Sequence, residues 1–248
     1  MAQMTKSEQD SLYIVMPAYN EEANIEQVAR SWHGVVSSIG GNSRLVIFND
    51  GSKDRTSEKL LSLKSELPFL MPVDKPNSGH GATVRYAYQY SLDMGADYIF
   101  QTDSDGQTLP EEFAGFWEKR AGHAAIIGHR NHRQDGFSRV FVTKVLKLVI
   151  LLIFRVRVTD ANTPFRLIPR ATMQKYLPKI PMNFNLTNVL LSVLMADAKE
   201  DILFLPITFR PRQGGKNSIN LRRIFRIGLQ AVKDFRAIRK EQLKNQKK

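Results

Sequence analysis

Between Leu12 and Gly128 short apolar runs alternate with longer amphipathic ones, and this alternation restricts what the chain can fold into more than any other feature. SLYIVM (11–16) reads as a buried strand. Ile25, Val28, Ala29, Trp32, Val35, Val36 and Ile39 then follow a 3.6-residue period, which predicts a helix. RLVIF (44–48) predicts the next strand, followed by a helix beginning near Thr56, a strand around Phe69 to Val73 and a helix from Ala82 to Met94. DYIFQT (97–102) is a strand, Pro110 opens a helix, and AAIIG (124–128) is a strand again. Such alternation predicts an α/β, Rossmann-like fold: a mostly parallel sheet with helices on both faces. Ligands of such sheets bind beyond the carboxyl ends of the strands.

The second half predicts a largely apolar helix over 137–154, a loop and short strand over 160–169, a helix over 186–196 and a last strand over 202–210. The loop RPRQGGKNS follows, then a basic helix from Asn220. With no internal repeat or low-complexity linker, residues 1–219 read as one domain and 220–248 as a basic amphipathic tail.

Chemistry gathers where the strands end. PAYNEE (17–22), NDGSKDRT (49–56), TDSDGQ (102–107) and GHRNHR (128–133) each follow a predicted strand. Singly, each could be a turn or a helix cap; repetition at successive strand ends points to a site. Asp103 and Asp105 are two apart, so both carboxylates can face one way, and Gln107 adds a neutral oxygen. That all-oxygen set suits Mg²⁺ or Mn²⁺, with phosphate and water completing the octahedron. His129 and His132 lack the partners of a zinc site and read as polar loop residues.

PAYNEEANI, NDGSKDRT, the stretch NSGHGATVRYAYQYSLDMGADYIFQTDSDGQ and the later RQGGKNS resemble a family 2 glycosyltransferase of GT-A fold, nearest the dolichol- or polyprenyl-phosphate mannosyl- and glucosyltransferases. The likeness runs from Tyr13 to Ser218. It implies an inverting enzyme that moves a hexose from a GDP-mannose- or UDP-glucose-type donor to a polyprenyl phosphate. By the same resemblance Pro17, Ala18, Tyr19 and Glu21 line the nucleoside pocket and Asp50 reads the base. Asp103 and Asp105, with Ser104 between them and Gln107 beyond, hold the metal on the diphosphate. Arg130 and Arg139 meet acceptor phosphate, and Arg212 with the loop around Gly215 and Ser218 closes over the phosphates. The chain departs from that pattern at DANTPFR (160–166), where Thr163-Pro164 replaces Ser-Gly, and at Gly79-His80-Gly81, where Gly-Lys-Gly is common.

A phosphate acceptor is already anionic and needs no general base, whereas a hydroxyl on a glycan or glycolipid does. Asp160 could be that base, or it could brace the next loop. Arginine forks suit phosphate and favour that role, the alternative for Arg130, Arg133 and Arg139 being solvated surface charge.

Charge bears on the partners. The 248 residues hold 36 Lys+Arg against 24 Asp+Glu, a net +12, which favours polyanions. A non-catalytic adaptor for membrane or nucleic acid would need only that charge and not paired aspartates, so nucleic acid is not expected as a partner. There is no cysteine, which excludes disulfides and thiolate chemistry. The N-terminus lacks a signal-like apolar stretch, and the most apolar run, Val145 to Phe154, carries Lys147 and falls short of the roughly 20 residues of a helical span. These features predict a cytoplasmic protein with peripheral contact to anionic membrane. Leu221, Ile224, Phe225, Leu229, Val232, Phe235 and Ile238 follow helical spacing among many arginines and lysines, the pattern of a helix lying in the lipid interface or packing on the domain with a charged back.

Overall fold

The computed structural model describes residues 10–130, 137–211 and 221–245, with side chains in the two flanking helices described for 144–154 and 228–240. In chain order the elements are β1 (Leu12–Ala18), α1 (Ile25–Ile39), β2 (Arg44–Asp50), α2 (Thr56–Leu63), β3 (Leu70–Lys75), α3 (His80–Asp93), β4 (Tyr98–Thr102), α4 (Phe113–Glu118), β5 (Ala125–Arg130), α5 (Phe137–Phe154), β6 (Phe165–Pro169), α6 (Arg170–Tyr176), α7 (Thr187–Asp197), β7 (Ile202–Ile207) and α8 (Leu221–Asn245). The strands form one sheet in the order β3-β2-β1-β4-β6-β5-β7.

Every pairing is parallel except those of β6, which runs antiparallel to both β4 and β5. This inversion positions the site. Because Thr102 pairs with Phe165, the segment leading into β6 emerges at the edge where β4 ends. DANTPFR therefore arrives beside TDSDGQ, 58 residues away from it in sequence when Thr102 and Asp160 are compared.

Alternation along β1 divides the core. Leu12, Ile14 and Met16 join one buried cluster with α1, α2 and α4, while Tyr13 and Val15 join the other with α3, α5, α6, α7 and α8. In the first, Trp32 is 1% exposed and lies against Phe100, Phe113 and Phe165 at centroid distances of 5.4, 6.4 and 6.0 Å. On the other face α3 packs closely on the chain before α7. A Cβ at Gly81 would come within 2.2 Å of the Asn185 carbonyl oxygen, and the Thr187 hydroxyl donates to the Gly81 carbonyl at 2.8 Å.

Two elements differ from the sequence expectation. Helix α6 was not foreseen. Strand β7 stops at Ile207 rather than Arg210, because the next amides leave the sheet: Thr208 N–H donates to the Glu112 carboxylate and Arg210 N–H to the Gln107 carbonyl.

Helix α5 is two-faced. Ile150 and Phe154 are buried, whereas Val145, Leu148, Leu151 and Leu152 are exposed, Leu152 by 71%. Lys144, Lys147, Arg155 and Arg157 lie exposed beside them. Helix α8 instead packs its apolar stripe inward over 231–238: Ala231 and Phe235 are buried, with Phe235 5.6 Å from Phe154 and 5.9 Å from Phe184. Of the two arrangements open for this tail, packing on the domain is the one adopted by that portion. No helix among the described residues is long and apolar enough to cross a membrane.

Candidate active site

The loops after β1 and β2 are laced together. Asn20 N–H donates to the Ser52 hydroxyl and Lys53 N–H returns a bond to Asn20 Oδ1, at 2.9 and 2.8 Å. Glu22 N–H donates to Asp54, and Arg55 N–H to Glu22. Pro17 and Ala18 are buried beneath this lacing, and Tyr19 is exposed. Glu21 is 7% exposed, and Asn24 donates to its carboxylate at 3.2 Å.

Asp50 closes β2 inside a nest of donors. Lys75 Nζ, at the end of β3, bonds Oδ1, Ser78 N–H reaches the same oxygen at 2.9 Å, and Gly79 N–H reaches Oδ2 at 2.9 Å. The turn beyond it requires glycine: Gly51 has φ +66°, and a Cβ there would lie 2.9 Å from the Asn77 nitrogen. Burial pushes the Asp50 pKa up, but Lys75, the Ser78 amide and Thr83 outweigh it and hold the carboxyl below its ordinary value.

Past β4, Ser104 is buried and donates to the Pro17 carbonyl at 2.8 Å, which ties this turn to the end of β1. Asp103 keeps 26% of its side chain exposed, with His80 Nε2 3.9 Å away. Gln101, wholly buried in β4, donates to Asp103 Oδ1 at 3.0 Å. Burial raises the Asp103 pKa against the pull of His80, Gln101, Arg130 and Arg166, as expected of a carboxylate at a low-dielectric edge without a full ion pair. Asp105 is half-buried and accepts from Gln107 N–H at 3.1 Å. The Gln107 side-chain nitrogen is engaged with the Arg210 carbonyl at 2.8 Å, so only its Oε1 is left to offer a cation.

Arg130, at the end of β5, meets Asp160 in a two-point pairing, Nε to Oδ2 at 3.0 Å and Nη2 to Oδ1 at 3.1 Å, and its guanidinium lies 5.1 Å from the Phe209 ring centre. The segment carrying Asp160 is held by Arg166. That side chain is wholly buried and donates to the carbonyls of Ala161, Thr163 and Asn188 and to the Ser192 hydroxyl.

Asp50, Asp103, Ser104, Asp105, Gln107, Arg130 and Asp160 thus share the carboxyl edge formed by β2, β1, β4 and β5. Arg139 falls in the first turn of α5, where side chains lie outside the described residues, as do His132, Arg133, Arg212, Gly215 and Ser218. Lys75, Tyr88, Gln101 and Asn188 were not anticipated. Gln101 and Asn188 stand out only as polar residues in a largely apolar strand and helix, and Lys75 and Tyr88 carry no local signal.

Among the described residues no group of three or more His, Cys, Asp or Glu comes together. A cation at this edge would rest on Asp103 and Asp105, with substrate phosphate and water supplying the rest. That all-oxygen pair fits Mg²⁺ or Mn²⁺.

A mostly parallel sheet with an Asp-x-Asp turn at its central carboxyl edge and a donor-lined aspartate two strands away defines a GT-A glycosyltransferase. The family model for glycosyl transferase family 2 matches residues 13–180, and the chain belongs to that family. It is 25% identical over 171 residues to the undecaprenyl-phosphate 4-deoxy-4-formamido-L-arabinose transferase of Pseudomonas paraeruginosa, which covers 68% of this chain and 50% of that one. With the Salmonella paratyphi A protein of the same name it shares 25% over 140 residues, 55% of this chain and 42% of the other. The chain spans about half the length of the curated relatives it matches. Among solved structures it resembles glucosyl-3-phosphoglycerate synthase from Mycobacterium tuberculosis in complex with Mn²⁺, UDP and phosphoglyceric acid, at a TM-score of 0.67 and 17% identity over 93% of this chain and 78% of that one. It also resembles S. aureus TarS residues 1–349, at 0.55 and 16% over 81% and 60%. These likenesses show the shared fold.

Proposed function

We propose that this glycosyltransferase moves a hexose from a nucleotide diphosphate sugar to a polyprenyl phosphate at the cytoplasmic face of a membrane, with inversion. The observation that carries the acceptor class is the Arg130–Asp160 pairing. A carboxylate clamped by a guanidinium is a poor proton acceptor, so the best-placed base candidate is committed elsewhere. An acceptor that arrives already anionic needs no such base. The names of the curated relatives, which are undecaprenyl-phosphate transferases, support the same class.

In this reading Pro17, Ala18, Tyr19 and Glu21 border the nucleoside and Asp50 takes hydrogen bonds from its base. Asp103 and Asp105 would hold Mg²⁺ or Mn²⁺ against the diphosphate, with Gln107 completing that shell. The bound cation supplies stabilisation of the charge that grows on the departing diphosphate. Arg130, Arg139 and Arg212 orient the acceptor and donor phosphates, because planar forks fix direction as well as charge. The exposed leucines of α5, flanked by cations, support contact with an anionic lipid surface.

The test is a radiolabelled-donor assay comparing polyprenyl phosphate with polyprenol and free glycans, using UDP-glucose, GDP-mannose and a nucleotide-linked formamido-arabinose. Transfer of glucose or mannose to the phosphate that stops in EDTA and in Asp105→Ala is the expected result, and transfer of the formamido-arabinose pentose alone would overturn the hexose assignment. Transfer to polyprenol or glycan alone, or full activity without divalent metal, would overturn the reading.

A further inference from the structure

Behind Asp103 runs a line of three buried hydrogen-bonding side chains contributed by three different elements. The Tyr88 hydroxyl on α3 lies 2.8 Å from Asn188 Oδ1 on α7, Asn188 Nδ2 lies 2.8 Å from Gln101 Oε1 on β4, and Gln101 Nε2 lies 3.0 Å from Asp103 Oδ1. Tyr88, Asn188 and Gln101 are 0, 4 and 0% exposed, so water is not at hand to replace a lost partner.

An ionised carboxylate only accepts, which makes the polarity of this line unique. Gln101 must turn its NH₂ toward Asp103 and its carbonyl toward Asn188. Asn188 must then turn its NH₂ toward Gln101 and its carbonyl toward Tyr88, whose hydroxyl becomes the donor at the end. Reversing either amide sets two acceptors against each other at hydrogen-bonding distance in a dry interior.

We infer that Asn188 and Tyr88 are positioning residues that fix the orientation of the Gln101 amide and so hold the Asp103 carboxylate, through its Oδ1, in one orientation in which it would serve a divalent cation. This rests on the proposed role of Asp103 toward Mg²⁺ or Mn²⁺. The substitution Asn188→Asp keeps the shape but removes the donor. Gln101 then gives its NH₂ to residue 188 and turns its oxygen on Asp103. Tyr88→Phe removes only the donor at the far end.

The experiment is titration of Mn²⁺ into the metal-free protein, followed by electron paramagnetic resonance, with melting temperatures and circular dichroism recorded in EDTA. Wild type should bind, Asp105→Ala should not, Asn188→Asp should bind at least tenfold more weakly and Tyr88→Phe several-fold more weakly. Trp32→Leu, in the aromatic cluster on the other face of the sheet, should lower the melting temperature without changing Mn²⁺ affinity. Wild-type affinity in folded Asn188→Asp and Tyr88→Phe would overturn the inference and leave the metal reading standing. If Asn188→Asp does not fold, unchanged affinity in Tyr88→Phe alone overturns it. Equal weakening in Trp32→Leu would reduce the effect to general loosening and overturn it too, and no Mn²⁺ uptake by wild type would overturn both.

Discussion

Arg130 and Asp160 face each other through two parallel hydrogen bonds of 3.0 and 3.1 Å, with 13% and 7% of their side chains exposed. The chain between them includes α5, so the pair closes the carboxyl edge of β5 against the segment that enters β6. It joins two residues that sequence considerations alone would give separate tasks, one as phosphate ligand and one as base or brace. A paired arginine can still turn part of its fork to an incoming phosphate. A paired aspartate at the same place works best by holding that fork still.

Asp160→Asn should therefore lower kcat/KM for polyprenyl phosphate by roughly 10- to 100-fold, the worth of one charge-assisted bond of about 1.5–3 kcal/mol. Most of the effect should fall on the acceptor KM. Arg130→Lys, which keeps charge but loses the fork, should behave similarly. Steady-state kinetics with varied acceptor provide the check. A fall in kcat beyond about 1000-fold together with a lost acid limb of the pH profile would instead mark Asp160 as a general base.

Asp50→Asn leaves the half-buried Lys75, with 12% of its side chain exposed, without its anionic partner. Near neutrality the variant should be roughly 3 kcal/mol less stable than wild type. The folded Asp50 pKa lies below its ordinary 3.8. The stabilisation is thus complete above 3.8 and disappears as pH falls through the lower folded value. Urea denaturation of both proteins near neutrality and at about pH 3 should show the difference shrinking in acid; a constant gap would contradict the ionic account.

Gly81→Ala should be disruptive although Gly81 sits in a helix, where alanine is usually favourable. The new methyl would stand 2.2 and 2.5 Å from the carbonyl oxygens of Asn185 and Phe184, which are backbone atoms that cannot swing aside. A loss of roughly 3 kcal/mol and a melting temperature lower by on the order of 10 °C are expected by thermal denaturation. An unchanged melting temperature would show that α3 and the 184–185 segment can separate freely.

Leu148→Ser/Leu152→Ser should fold normally, because both side chains point away from the core. Sedimentation with phosphatidylglycerol-containing vesicles should show affinity reduced on the order of tenfold. Activity toward a short, water-soluble polyprenyl phosphate should be retained. Unchanged vesicle binding would count against the exposed face of α5 as a lipid-binding surface.

Most elements were legible in order, since strand and helix periods are local properties of 5 to 15 residues. The stripe from Ile25 to Ile39 became α1 with Ile25, Val28, Ala29, Trp32 and Val36 buried. The polar clusters after β1, β2, β4 and β5 could be placed at one edge because parallel strands end on the same side. Helix α6 escaped because it is 7 residues long and shows little period of its own. The helical period of Val145 to Phe154 by itself fits a core helix as well as a membrane-facing one; packing against α8 buries Phe154 and leaves Leu148 and Leu152 outside.

By itself, then, the sequence determined the α/β alternation, the turn chemistry at the strand ends and the Asp103–Asp105 pair, all of which depend on neighbours close along the chain. Only the tertiary structure decided that β6 inserts antiparallel between β4 and β5, that Asp160 therefore reaches Arg130, and that Tyr88, Asn188 and Gln101 line up behind Asp103. Those choices depend on which distant strand or helix buries a given face, and a hydrogen-bonding side chain carries no local mark of the partner that long-range packing will bring to it.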